Sequence, residues 1–122
     1  MTVRDAMNSP VITLRETDSV LAGLKALVQH GINGAPVLSS DARLVGIVTE
    51  FDLLLAIDYV GDEVPISRVM HKEVISVQPD TTLDEARHLI LDHHYRALPV
   101  IENDKVIGVV ARRDILRVHF GL

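Results

Sequence analysis

The sequence predicts an α+β fold, built as a tandem pair of small β-α-β-β-α units packed about a pseudo-twofold axis. The first observation is an internal repeat, because Ser67–Met70 lies over Arg4–Met7 at an offset of 70 − 7 = 63 residues. The second is that the offset changes only once, where one residue drops out near Ala42. The aligned segments are Val11–Leu14 with Val74–Val77, Ala35–Leu38 with Leu98–Ile101, Val45–Val48 with Ile107–Val110, and Asp52 with Asp114.

The first half has the pattern of a strand, a helix, two strands and a second helix. Val11–Leu14 is a β-branched run that indicates a strand. Residues 16–19 then offer several N-cap candidates, and apolar residues recur at helical spacing from Val20 to Val28. Glycines end that helix, strands are predicted over Pro36–Ser39 and Leu44–Thr49, and the second helix carries Phe51, Leu54, Leu55 and Ile57.

The second half repeats this order. The predicted elements are a strand at Val74–Val77, a helix at Thr82–His93, strands at Leu98–Glu102 and Val106–Ala111, and a helix from Arg113. We therefore expect one repeat in residues 1–60 and the other in residues 66–122, with an acidic, Gly- and Pro-containing linker at 58–65. Because about 60 residues bury too little surface to be stable alone, the halves are expected to share one core.

The composition excludes several classes of protein. The 122 residues carry a net charge of −5, whereas a general nucleic-acid binder needs a basic face, so nucleic acid is not an expected partner. There is no cysteine, which excludes disulfides and thiolate metal sites. The six histidines show no helical zinc-site spacing, so no metal site is predicted. Without a signal peptide or a membrane-spanning apolar run, the chain is expected to be cytoplasmic and not inserted in a membrane.

Several motifs, present in order in both halves, resemble those of cystathionine-β-synthase-type (CBS) domains. Val3–Met7 and Ile66–Met70 resemble the opening of such domains. Tyr95–Val100 is similar to the stretch that leads into their second strand, and Gly46–Leu54 to their nucleotide-holding turn. The resemblance implies a Bateman module, a regulatory CBS pair that binds AMP, ADP, ATP or S-adenosylmethionine in clefts between the repeats. It also implies a homodimer and an effector enzyme or transporter as partner.

The first candidate site is the motif Gly46-x-x-Thr49-x-x-Asp52. Free N–H groups at a helix N-terminus suit a phosphate, and Thr49 adds a hydroxyl. The two carboxylate oxygens of Asp52 suit the paired hydroxyls of a ribose, and the resemblance implies these same roles. Thr49 and Asp52 also form nearly a capping box, which is the structural alternative and is compatible with ligand binding.

The second copy of the motif has different side chains. Asp114 is retained, but Ala111 replaces the threonine, while Arg112 and Arg113 follow it. Arg96 stands where the first half has an asparagine. Since arginine binds phosphate through a planar fork of donors, this site is expected to prefer more phosphates than the first. The alternatives are a solvated helix face for Arg112 and Arg113, and a surface salt bridge for Arg96.

The adenine requires only flat apolar walls and a backbone donor or acceptor. The candidate residues precede the first helix or start the second strand of each half: Val11, Ile12, Thr13 and Pro36, with Val74, Ile75, Ser76 and Pro99 in the repeat. Most of these residues are also expected to belong to the core.

An enzyme is not predicted, because no nucleophile elbow, Walker loop or paired-carboxylate signature is present and no catalytic residue is assigned. One alternative to a nucleotide sensor is a purely structural dimerisation module with vestigial sites, which Ala111 favours. Another, a DNA-associated regulator, fits the acidic charge poorly. Met1 lies inside the first motif and Leu122 follows the last helix. If the sequence is the full protein, regulation is expected to act in trans or as a nucleotide sensor; if it is a fragment, the partner domain lies outside it.

Overall fold

The computed structural model describes residues 1–9 and 11–122, and these form two compact units. The Asp52 unit consists of Ile12–Val74, and the Asp114 unit consists of Met1–Val11 with Ile75–Leu122. These spatial units do not coincide with the two halves of the sequence. The opening segment of the first half, Met1–Val11, belongs to the Asp114 unit. The opening segment of the second half, residues 66–74, belongs to the Asp52 unit.

The Asp52 unit contains a three-stranded sheet and two helices. Its elements are β1 (Leu14–Arg15), α1 (Val20–His30), β2 (Gly34–Leu38), β3 (Leu44–Thr49), α2 (Glu50–Tyr59) and a 3-10 turn at Ile66–Arg68. The strand order is β1-β2-β3, with β1 parallel and β3 antiparallel to β2. The helix α1 begins where the Ser19 hydroxyl accepts a hydrogen bond from the Ala22 N–H at 3.1 Å. It ends at Gly31, whose φ of 63° is the left-handed conformation that glycine adopts readily.

The Asp114 unit repeats this arrangement, but its sheet has two strands and not three. Its elements are a 3-10 turn at Val3–Asp5, α3 (Leu83–His93), β4 (Ala97–Glu102), β5 (Lys105–Ala111) and α4 (Arg112–Phe120). The strands β4 and β5 are antiparallel, and Val77 forms an isolated parallel bridge with Val100. The Thr82 hydroxyl caps α3 by accepting from the Glu85 N–H at 3.1 Å.

Each unit has its own aliphatic core. The Asp52 unit buries Leu14, Val20, Leu27, Ala35, Val37, Val48, Leu53, Ala56 and Ile66. The Asp114 unit buries Val3, Ala6, Val77, Leu83, Ala86, Ile90, Leu98, Val100, Val110 and Ile115. The prediction of one shared core is therefore wrong: the buried residues form two clusters. The exchanged opening segments supply Ile66 to one cluster and Val3 and Ala6 to the other.

The first strand of each half is much shorter than its sequence predicts. Only Leu14 of Val11–Leu14 lies in a strand, and only Val77 of Val74–Val77 forms a bridge. The chain passes from one unit to the other at Val11–Ile12 and again at Val74–Ile75. These β-branched residues therefore lie in crossovers, because strand propensity reflects a fit to a half-buried sheet and does not create pairing by itself.

Two smaller differences concern the ends of helices. The predicted linker begins at Asp58, but α2 continues through Asp58 to Tyr59. The last helix begins at Arg112, one residue earlier than predicted. No helix in residues 1–9 and 11–122 is long and apolar enough to cross a membrane.

The opening segment of each half pairs in antiparallel fashion with the last strand of its unit. The Asn8 N–H donates to the Val109 oxygen at 2.8 Å and the Val109 N–H donates back at 3.1 Å. His71 and Ile47 make the matching pair of bonds, at 2.8 and 2.9 Å. Glycine makes this approach sterically feasible, because a Cβ on Gly108 would lie 2.6 Å from the Asn8 oxygen. The same atom on Gly46 would lie 2.5 Å from Met70 Sδ. Both motif glycines thus serve the approach of a neighbouring chain segment.

Gly108→Ala should therefore destabilise the protein, because the new methyl group would force the opening segment off β5. Overpacking of this kind costs about 1–3 kcal/mol of unfolding free energy. Lys105→Ala is the control, since Lys105 is exposed on the same strand. Urea unfolding of both variants measures the difference. Equal stability of the two variants would contradict the close approach.

Candidate functional site

The carboxylate of Asp52 lies in the first turn of α2, directly after β3. Thr49 and Asp52 form a full capping box. The Thr49 hydroxyl accepts from the Asp52 N–H, and Asp52 Oδ2 accepts from the Thr49 N–H, both at 3.2 Å. The capping alternative from the sequence is thus confirmed as a structural role. The side chain of Asp52 is nevertheless 21% exposed, so a ligand can reach it.

A second contact to Asp52 comes from the opening segment of the second half. His71 Nε2 lies 3.0 Å from Asp52 Oδ2. The backbone of His71 is fixed by its two bonds to Ile47, whereas its side chain is 65% exposed. The imidazole therefore contacts the carboxylate from the solvent side and is free to rotate away.

Asp114 occupies the equivalent place at the start of α4 but is more enclosed, with a residue exposure of 8%. Its Oδ2 accepts from Asn8 Nδ2 at 2.7 Å. Its Oδ1 is bonded to Arg117, one helical turn further along α4. Both oxygens are thus engaged within the unit, and a ligand that binds this carboxylate must replace at least one of these partners.

The N-terminus of α4 lacks the side-chain cap of α2. Ala111 has no hydroxyl, and no side chain caps this helix. One amide of each helix is still satisfied by the loop before the preceding hairpin. The Glu50 N–H donates to the Asn33 oxygen and the Arg112 N–H to the Arg96 oxygen, both at 2.8 Å. These bonds bring Arg96 next to the start of α4 and Asn33 next to the start of α2.

The arginines predicted for the second site are exposed around the start of α4. Arg96, Arg112 and Arg113 are all solvent-accessible, and none forms an ion pair within residues 1–9 and 11–122. The salt-bridge alternative for Arg96 is therefore not observed. The hydrogen bond from the Arg112 N–H to the Arg96 oxygen places the backbones of these two arginines side by side at the start of α4.

The adenine candidates divide into accessible and inaccessible residues. Ile12 and Thr13 are half-buried in the Asp52 unit; in the Asp114 unit Ile75 is half-buried and Ser76 is exposed. Val11 and Val74 are also half-buried. The prolines are different, because Pro36 and Pro99 are buried within β2 and β4. Their rings are therefore largely inaccessible to a ligand, and the two residues belong to the sheets.

Asn8 and His71, which contact the two acids, are not among the residues that the sequence predicts for the sites. The signal was available in the repeat, since the two residues follow Met7 and Met70 and align at the 63-residue offset. Their importance depends on the exchange of opening segments, which the sequence pattern does not reveal. Within the described part of the chain, no three His, Cys, Asp or Glu side chains form a cluster that could hold a metal ion.

Comparison with known proteins gives one family in both halves. The family model for the CBS domain matches residues 3–59 and again residues 66–121. An A-adding tRNA nucleotidyltransferase from Aquifex aeolicus is 36% identical over 94% of the chain. The chain spans only 14% of the length of that enzyme.

Two crystal structures are similar over nearly the whole chain. One is the CBS domain pair of protein MJ0100 in complex with 5′-methylthioadenosine and S-adenosyl-L-methionine, with a TM-score of 0.88 and 28% identity. It covers 99% of this chain and 97% of its own. The other is CBSX2 in complex with AMP, with a TM-score of 0.84, 28% identity, and coverage of 98% and 96%.

The helix α2 has a threonine cap and α4 has none. Removing the threonine from α2 and adding one to α4 should therefore have opposite effects on stability. Thr49→Ala removes the hydroxyl that caps α2 and should cost about 0.5–2 kcal/mol of unfolding free energy. Ala111→Thr supplies the missing hydroxyl to α4, where the backbone at φ −91° and ψ 151° already has the extended conformation of an N-cap, and should stabilise the protein. Thermal unfolding measures both. A loss of stability in Ala111→Thr would mean that the two helix starts are not equivalent.

Proposed function

Because the chain belongs to the CBS-domain family, with one match in each half, we propose that it is a regulatory module that binds adenosine-containing ligands. One observation carries the proposal: each unit presents an aspartate in the first turn of the helix that follows its last strand. A carboxylate has two oxygens that each accept hydrogen bonds, as the two hydroxyls of a ribose require. The AMP complex and the S-adenosylmethionine complex among its structural neighbours support this ligand class.

In the Asp52 unit, Asp52 holds the ribose and Thr49 contacts the polar group on the 5′ side. Ile12 and Thr13 contribute a half-buried surface for the adenine. The start of α2 carries Glu50 and Asp52 and no arginine, so a ligand of low negative charge fits it better than a triphosphate. AMP or S-adenosylmethionine meets that requirement.

In the Asp114 unit, Asp114 holds the ribose, and Ile75 and Ser76 take the place of Ile12 and Thr13. Arg96, Arg112 and Arg113 bind the phosphates, and the uncapped amides at the start of α4 add further donors. ADP or ATP therefore fits this unit better than the other. The ligand must displace Asn8 or Arg117 from the carboxylate, which lowers the net gain from the ribose contact.

The proposed role is regulation of a partner in trans, such as an effector enzyme or a transporter in the cytoplasm, with no catalysis by the module itself. A structural dimerisation module is the second candidate function. One observation favours it: both oxygens of Asp114 are already bonded within the unit.

Calorimetry and thermal unfolding with AMP, ADP, ATP and S-adenosylmethionine test the ligand. We expect micromolar affinity for at least one of them, or about −8 kcal/mol. At a hundredfold excess over Kd this adds about 2.7 kcal/mol of stability, which raises Tm by several degrees. No response to any of the four at millimolar concentration would leave the structural module.

Substitution of the two acids then assigns the sites. Asp52→Ala and Asp114→Ala should each remove one charged hydrogen-bond partner, worth about 1.5–3 kcal/mol, and weaken their own site about tenfold to a hundredfold. Asp58→Ala, an exposed acid on α2, is the matched control and should bind normally. Unchanged binding in both site variants would place the ligand elsewhere.

The proposed homodimer uses the exposed apolar faces of the helices. On α2, Phe51 is 68% and Tyr59 82% exposed, with Leu54 and Leu55 beside them, and the helix carries three acids and no base. On α4, Leu116 and Phe120 are exposed beside three arginines and one aspartate. A groove of about 130 Å³ runs between α3 and α4, lined by Arg87, Ile90, Leu91, Arg112, Ile115 and Leu116. The complementary charge favours contact of α2 with α3 and α4 of a second copy.

Phe51→Asp should therefore weaken self-association about tenfold or more, the size expected when a large apolar anchor is lost. Val60→Asp, at an exposed valine just beyond α2, is the control and should leave self-association nearly unchanged. Sedimentation velocity at low and high salt measures both, and the charged contact predicts a weaker dimer at high salt. A wild-type protein that remains monomeric at high concentration would contradict the proposal.

A further inference from the structure

His71 contacts Asp52, whereas the equivalent residue of the other unit, Asn8, contacts Asp114 through an amide side chain that carries no charge. His71 meets Asp52 Oδ2 at 3.0 Å, whereas Asn8 meets Asp114 Oδ2 at 2.7 Å. The two residues align in the repeat and hold the same backbone position, each paired with the last strand of its unit. The two side chains differ in their charge behaviour, because an imidazole can gain a proton near neutral pH and an amide cannot.

The oxygen that His71 contacts is already used by the helix cap. Asp52 Oδ2 accepts from the Thr49 N–H at 3.2 Å as well as lying against His71 Nε2. The Thr49 N–H and the His71 imidazole therefore both lie against this oxygen. A ribose that donates one hydroxyl to each oxygen of Asp52 must therefore take the place of His71. Since the imidazole is 65% exposed, it can move into solvent without disturbing the fold.

We propose that His71 makes the ligand affinity of the Asp52 unit depend on pH, with weaker binding as the pH falls. This inference rests on the proposed binding of an adenosyl ligand. A protonated His71 forms a charge-assisted bond to Asp52, which is roughly twice as strong as a neutral one. The bound ribose displaces that bond, so ligand binding releases the proton. Protonation of His71 therefore stabilises the ligand-free state.

The surrounding charges do not provide a second strong partner for His71. β3, against which its backbone pairs, carries no charged side chain. α2 contributes Glu50, Asp52 and Asp58, of which Asp52 is the one within ion-pair distance among the described residues. On its own segment, Arg68, Lys72 and Glu73 flank it along the chain. The free energy needed to displace the His71 side chain thus depends mainly on its contact with Asp52.

Adenosine is the probe for the test, because it has the ribose hydroxyls but no phosphate that titrates in this range. Calorimetry at about pH 5.5 and pH 7.5 should give wild-type affinity for the Asp52 unit about two- to fivefold weaker at the lower pH, the range that exposed ion pairs provide. His71→Asn, which copies the natural partner of Asp114, should remove this dependence. Asn8→His should introduce a dependence in the Asp114 unit. His71→Gln replaces the first variant if that variant melts early.

The outcomes separate this inference from the proposed function. Adenosine binding with the same pH dependence in wild type and His71→Asn overturns the role of His71 and leaves the ligand site intact. Loss of binding in His71→Asn also overturns it, because His71 would then hold the ligand. No binding of adenosine to any form, together with no response to AMP, ADP, ATP or S-adenosylmethionine, overturns both proposals. Proton release by the wild type on binding at about pH 6.5, absent in His71→Asn, supports the displacement directly.

Discussion

The antiparallel pairing of each opening segment with the last strand of the other half is the contact on which both units depend. It brings Ile66 into one core and Val3 and Ala6 into the other. It also sets His71 beside Asp52 and Asn8 beside Asp114. Core and site are therefore completed by the same few residues. Gly46 and Gly108 are required for the pairing because any side chain at either position would occupy the space of the opening segment.

The repeat made most of the elements predictable. The helices α1 and α3 lie in the segments for which the sequence predicts helices, and β3 has its predicted bounds. The failures are at Val11–Thr13 and Val74–Ser76, where strand-forming residues serve as crossovers between units. Local propensity cannot report that a segment pairs with the other half. The shared core was predicted wrongly for the same reason, since the exchange was not visible in the pattern.

The candidate acids were also predictable, but the groups that hold them were not. Thr49 and Asp52 lie three residues apart, so their mutual bonds follow from local geometry. Asn8 lies 106 residues from Asp114 in the chain, and only the folded structure brings them together. The resemblance of the motifs points to the acids, because they belong to the motif. It does not point to Asn8 or His71, whose side chains give each acid a different environment.

In the two proposed sites, the contacts that stabilise each unit and the contacts that the ligand would need use the same carboxylate oxygens. Asp52 accepts a hydrogen bond within its cap and also lies against an exposed imidazole, and this second contact can be exchanged at little cost. Asp114 is held by Asn8 and Arg117 in a more buried place, where an exchange leaves polar groups to be satisfied again. The free energy of these internal bonds subtracts from the free energy of ligand binding. The two proposed sites have the same backbone arrangement and the same acidic residue at the helix start. They can nevertheless differ in ligand affinity and in the response of that affinity to pH.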